Sequence, residues 1–161
     1  MSFLVDVLHK SNDPERVKQA LDAYHVYLES VGQLLPKAAY EFAAAPWHYD
    51  YSDRRCPHDS WVESLLIQEP SSGDRKEIRK VEISIRLLAA FHDCYLELSY
   101  KDVHSYSIFG NVSATRSAHG DWLTDEVRLS DRKLVLHEIL FSSGSRWAIE
   151  CGDLKFQQLH L

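Results

Sequence analysis

His58-Asp59, His92-Asp93, His119-Gly120-Asp121 and His137-Glu138 each set a histidine beside or near a carboxylate in the 161-residue chain. Such neighbourhoods are the raw material of acid–base catalysis or of a metal site. Adjacent residues on a strand point to opposite faces, so neither His58-Asp59 nor His92-Asp93 supplies two ligands to one centre by itself. Metal sites show spaced ligands of the HExxH kind, and the chain contains none. His92-Asp93 also falls between two alternating runs, where a hairpin needs turn residues, and turn chemistry is the preferred reading.

The stretch His119–Glu126 is the densest cluster. Asp121 or Asp125 beside His119 would serve as base or ligand. The structural alternative, which is favoured, has Asp121 capping an element and Trp122 plugging the core. On a strand, Asp125 lies between Leu123 and Val127 on an apolar face. A carboxylate there needs a partner, and Arg86, Arg128 or Arg146 is expected to supply it. Glu138 and Glu150 are expected to share a sheet face, with His137 on the other. That is either a carboxylate pair of hydrolytic type or, more commonly, a solvated polar row. The candidate site residues are therefore His58, His92, Asp93, His119, Asp121 and Glu138. No metal or cofactor is assigned: there is no GxSxG, no GxGxxG and no GxxxxGK. Trp47-His48-Tyr49-Asp50-Tyr51 sets aromatic rings among carboxylates and suits either a binding surface or a plug for one end of the sheet.

Several elements must position these residues. Asp13 and Pro14 start a helix, and Val17, Ala20, Leu21, Tyr24, Tyr27, Leu28 and Val31 continue it at three- and four-residue spacing. Gly32 and Pro36 end it, and Lys37–Ala45 reads as a second short helix. Met1–Lys10 reads as a short strand or a helical lead-in. Trp61–Glu69 reads as a strand and Pro70–Asp74 as a turn. Val81–Leu87 and Cys94–Tyr100 alternate apolar and polar residues around His92-Asp93, which predicts a central hairpin. Lys101-Asp102 predicts a reversal or bulge before a strand over Val103–Phe109. Gly110–Gly120 reads as a mobile loop, and Asp121–Leu129 as a strand or a helical turn. Lys133–Phe141, Arg146–Cys151 and Leu154–Gln158 read as strands, with Gly152-Asp153 as a turn.

Helices followed by strands predict an α+β fold: an N-terminal helix or helix pair packed on a curved, mostly antiparallel sheet of six to eight strands, or a partial barrel. One domain over 1–161 is expected, with a helical part over 1–46 and the sheet over 58–158. A net charge of -6 argues against nucleic acid and suits a basic protein partner. Three scattered cysteines, no secretion signal and no apolar run of membrane-spanning length point to a cytoplasmic protein. Edge strands at Trp61–Glu69 or at the C-terminus would allow a homo-oligomer.

His58-Asp59-Ser60-Trp61, Ala90-Phe91-His92-Asp93, His119-Gly120-Asp121-Trp122-Leu123 and His137-Glu138-Ile139 with Trp147-Ala148-Ile149-Glu150 resemble a family of small bacterial proteins of unknown function. The resemblance spans Trp47 to Phe156 and carries no catalytic or binding residue with it. Bacterial proteins of this type include immunity-like proteins that neutralise a toxin. The expected function is thus a non-enzymatic interaction module, with a small metal-dependent or carboxylate/His hydrolase as the alternative.

Overall fold

The computed structural model describes residues 2–110 and 119–161, so most of the expected Gly110–Gly120 loop lies outside the described residues. The fold is α+β. Helices α1 (Leu4–Lys10), α2 (Pro14–Val31) and α3 (Lys37–Ala43) precede strands β1 (Trp61–Gln68), β2 (Ser71–Ser72), β3 (Ile78–Arg79), β4 (Val81–Leu88), β5 (Cys94–Ile108), β6 (Trp122–Leu129), β7 (Val135–Phe141) and β8 (Arg146–His160). Six strands form one antiparallel sheet in the order β1-β4-β5-β8-β7-β6, and β2 and β3 pair as a small ribbon. Two three-stranded meanders, β1-β4-β5 and β6-β7-β8, thus meet along β5 and β8. The sheet is not closed into a barrel.

The Asp13 carboxylate accepts the Glu15 N–H at 3.1 Å and Pro14 occupies the first turn, as the sequence pattern requires. The α1 segment is helical, not extended. Phe3 at the N-cap has no capping side chain; Ser2 Oγ accepts the Asp6 N–H at 3.0 Å, and the buried Glu126 carboxylate accepts the N–H groups of Phe3, Leu4 and Val5 at 2.7–3.3 Å. The hairpin β4–β5 closes through His92, whose φ of 57° and N–H bond to the Ala89 carbonyl make a tight turn.

Lys101-Asp102 takes the bulge and not the reversal: β5 runs on through it, the β4 ladder shifts register between Tyr100 and Val103, and Asp102 sits at φ 52°. The expected turn at Gly152-Asp153 is absent, because β8 runs through it. Gly152 faces the Asp102 irregularity so closely that a Cβ there would meet the Asp102 side chain at 3.1 Å. The glycine signals a close strand crossing, not a reversal. The C-terminal strand is central in the sheet, so it offers no edge for pairing; β1 and β6 are the edges.

One sheet face packs on α2, α3 and the segment between α3 and β1. Ile83, Ile85, Leu87, Leu96, Leu98, Tyr100, Trp147 and Ile149 lie in its core with Tyr24, Leu28, Ala39 and Phe42. The β6 edge is covered by side chains and loop. Tyr24 Oη donates to the Val127 carbonyl at 2.9 Å and accepts the Val127 N–H at 2.7 Å. Tyr49 Oη donates to the Asp125 carbonyl, and Tyr27 Oη accepts the Leu129 N–H. Residues 58–60 bond the start of the strand: Asp59 N–H reaches the Trp122 carbonyl, Trp122 N–H reaches the Ser60 carbonyl, and His58 Nδ1 lies 2.8 Å from the Leu123 carbonyl. An edge that would otherwise recruit another strand is thereby occupied.

Tyr24 is fully buried and serves two backbone groups, whereas Tyr27 serves one and is partly exposed. Tyr24→Phe is expected to lower unfolding stability by about 1–3 kcal/mol, and Tyr27→Phe by less than about 1, because water replaces only the exposed hydroxyl. Urea unfolding of both variants checks the order; equal losses would remove the edge-capping account.

Candidate functional site

The candidate residues do not converge. His58 stacks on Tyr51 at 3.9 Å between ring centres while bonding β6. His92 sits at the hairpin tip, its ring 4.6 Å from Trp61. Asp93 pairs with Arg54. His119 packs edge-on against Trp147 at 5.2 Å. Asp121 caps no element; its backbone N–H donates to Ser142 Oγ. Glu138 is on the sheet face away from the core and pairs with Arg128 and Arg146. Glu150 shares that face but is separately held by Arg132 and Ser105, which keep its carboxyl down at about 2. As the register expectation had it, His137 faces the opposite way, into the core. Among the described residues no three His, Cys, Asp or Glu side chains group as a metal requires.

The concentrated chemistry lies elsewhere, at Asp125. The β6–β7 register shifts between Trp122 and Thr124, which puts Trp122, not Leu123, on the same face as Asp125 and Val127. Asp125 is 2% exposed. The expected arginine partners are not there; Arg86 pairs with Glu97 and the other two with Glu138. Asp125 Oδ2 instead receives His48 Nε2 at 2.9 Å and His137 Nε2 at 2.8 Å, while Oδ1 receives the Trp122 indole N–H at 2.9 Å. His48 Nδ1 is 2.9 Å from the Phe42 carbonyl, and His137 Nδ1 is 2.8 Å from Tyr100 Oη.

The protons follow from what each atom can accept. A carbonyl and a carboxylate only accept, so both His48 nitrogens carry hydrogen and the ring is a cation paired with Asp125. His137 donates from Nε2 and accepts from the Tyr100 hydroxyl at Nδ1. Every polar atom of the group is satisfied. Burial pushes the Asp125 carboxyl up, but the neighbouring His48 charge and the hydrogen bonds from His137 and His48 outweigh burial and hold it well below the usual carboxylate range.

This row of Tyr100, His137, Asp125 and His48 looks like a proton relay but reaches no substrate. Tyr100, His137 and His48 are each at most 1% exposed. Burial pushes the Tyr100 hydroxyl well above its ordinary range, and it pushes the neighbouring Cys56 thiol up to about 12, so neither is an activated nucleophile. What the row does is pin the α3–β1 segment, through His48, to edge strand β6 and on to β7 through His137.

Beside that pin is an open groove. Leu21, His25 and Glu29 of α2 face Tyr40 of α3 and Tyr49-Asp50 of the pinned segment around a volume of about 480 Å³. Its walls are apolar and aromatic, and exposed Glu29 and Asp50 stand at its rim. Tyr49 connects groove to pin, since its hydroxyl bonds the Asp125 carbonyl. Of the aromatic-acidic run Trp47–Tyr51, Tyr49 and Asp50 line this groove, while His48 is buried and Trp47 packs on Phe42 and Phe156 as a plug. Comparison with protein-family models, curated proteins and solved structures returns no match.

Asp125→Asn leaves the His48 cation without a counter-charge and is expected to cost about 3–5 kcal/mol near neutral pH. The carboxyl is depressed in the folded state, so its stabilisation is present above the unfolded value of about 3.9 and fades as pH falls through the folded value. The gap between wild type and variant should therefore narrow as pH drops below about 4. Urea midpoints over a pH series check this, and a gap independent of pH would refute the ion-pair assignment.

Proposed function

We propose that the chain is a non-enzymatic interaction module of bacterial, cytoplasmic type whose groove between α2 and Tyr49-Asp50 receives a basic protein, in the manner of an immunity-like toxin-neutralising partner. One observation carries the reading: the groove combines rigid aromatic walls with exposed carboxylates, Glu29 and Asp50, at its rim. Tyrosine walls give contact area at little entropic cost, and rim carboxylates attract a cationic partner and fix its register. The Asp50 carboxyl is lowered by the hydroxyl of Ser52, which keeps it charged. The net charge of -6 acts in the same direction at longer range. Three buried free thiols suit a reducing compartment.

The hydrolase alternative finds less support. Its candidate histidines are held by separate neighbours, and the buried chain of His48, Asp125 and His137 is closed to substrate.

Affinity capture from a bacterial host with immobilised chain is expected to retain a basic protein that elutes with salt. The Glu29→Lys, Asp50→Lys double variant should weaken that binding about tenfold or more at low salt and less at high salt, because screening removes the rim attraction first. Retention of no basic protein, or identical binding by the variant, would overturn the proposal.

A further inference from the structure

The groove beside the pinned segment does not end at Tyr40. Its first hollow touches Leu21 and His25 of α2, and a second, of about 310 Å³, touches Gly32 and Gln33 just past the end of that helix. Glu29 and Tyr40 line both, so the Tyr40 ring stands between two hollows that follow one another along α2. Gly32 makes room for that ring: a Cβ there would come within 2.9 Å of Tyr40 Cε2. The Gly32 backbone itself has an ordinary helical φ of -54°, which any residue adopts. The first hollow thus has two tyrosine rings, Tyr40 and Tyr49, and two exposed carboxylates, Glu29 and Asp50. Among the described residues neither carboxylate has an ion-pair partner, and Asp50 is steadied only by the Ser52 N–H and hydroxyl, at 3.0 and 2.6 Å. Lys37, the cation of the second hollow, is turned to Glu41 at 3.7 Å.

Resting on the reading that this groove receives a basic protein, we propose that the group it recognises is an arginine side chain of that partner, with the guanidinium against the Tyr40 and Tyr49 rings and bridging Glu29 to Asp50. Charge complementarity selects the occupant. The first hollow offers carboxylates and the negative faces of two rings, and no lysine or arginine of the chain lines it. Arginine fits better than lysine. Its planar fork donates along its edges while its faces rest on aromatic rings, whereas an ammonium is a compact, strongly hydrated charge. The two carboxylates come from separate elements, α2 and the pinned segment, and a fork serves both at once. Leu28 and Ala45 supply apolar surface for the methylene stem. The second hollow lies next in line and takes a neighbouring residue of the same segment, so the occupant is part of a chain and not a free amino acid.

The test is an NMR titration of the full chain with N-acetyl-arginine methylamide, a blocked arginine whose only charge is the guanidinium. Saturable shifts are expected at the backbone amides of Glu29, Tyr40 and Asp50. The citrulline counterpart has the same shape without the charge and should give none. The lysine counterpart should bind about threefold or more weakly. Free arginine should also bind more weakly than the blocked form, because its α-carboxylate meets the acidic rim. Glu29→Gln removes an exposed, unpaired charge, so it should leave the circular dichroism unchanged and weaken the arginine probe about fivefold or more. Gly32→Ala should displace the Tyr40 ring and weaken the probe without touching either carboxylate. No saturable shift, a citrulline or lysine probe that binds as well as arginine, or full binding by Glu29→Gln would each overturn the proposal. The outcome is separable from that of the capture experiment: a chain that retains a basic protein yet does not distinguish arginine from citrulline keeps the docking reading and loses this one.

Discussion

Asp125 is the constraint on which the rest of the fold depends. An ionised carboxylate at 2% exposure is costly unless opposite charge and hydrogen bonds surround it. Its partners come from four parts of the chain: His48 from the segment after α3, Trp122 from the same strand, His137 from β7, and Tyr100 from β5 through His137. Satisfying one buried charge therefore fixes an irregular segment that has no regular backbone pairing of its own. His48 then passes the constraint to α3 through the Phe42 carbonyl, and its ring packs on Phe42 at 4.3 Å. The polar chain sits inside an aromatic shell that includes Phe42, Trp47 and Phe156. Such a network favours a single arrangement over the many that an apolar core would accept.

The next residue does the same work on the other side of β6. Adjacent strand residues alternate, so Glu126 points away from Asp125, toward the first turn of α1. Its carboxylate takes three backbone N–H groups and pairs with Arg128, which links on to Glu138, Arg146 and Asp6. Two consecutive carboxylates thus hold the α3–β1 segment on one face and α1 on the other. The three tyrosines along the edge complete the enclosure of β6. An edge strand has in this way become one of the most enclosed parts of the molecule, while β1, at the opposite end of the sheet, has only its hairpin partner.

What could be read from sequence follows how local each cause is. The start of α2 was legible because Asp13 and Pro14 act on neighbouring backbone. The β4–β5 hairpin was legible because alternation and turn residues lie within one short stretch, and His92 does adopt the turn conformation. α1 stayed undecided between strand and helix because, beyond the local Ser2–Asp6 pair, its first N–H groups are taken by Glu126, more than a hundred residues away. The need for a partner at Asp125 was visible from its apolar neighbours. The identity of that partner was not, since an irregularity between Trp122 and Thr124 moves Leu123 off the face it would otherwise share. Gly152-Asp153 carried the composition of a turn, yet the glycine is there to let Asp102 of the neighbouring strand come close. In each failure a long-range contact decided what local composition left open.

The same logic explains why histidine–carboxylate dipeptides mislead here. Adjacency in sequence separates two side chains on a strand, so His137 finds its carboxylate through the sheet, whereas His58, off the strands, does lie 3.4 Å from the adjacent Asp59. His137 ignores Glu138, which faces the outer arginines, and meets Asp125 on the neighbouring strand. His48 meets that same oxygen from 77 residues away. The resulting chain has the order of a catalytic relay, but a relay acts only if one end touches a reactant. Here one end is a backbone carbonyl and the other a buried phenol, so the stored polarity is spent on position. What it positions is Tyr49, with Asp50 beside it at the groove rim, and a surface held that firmly suits recognition, where preformed walls lose little entropy when a partner arrives.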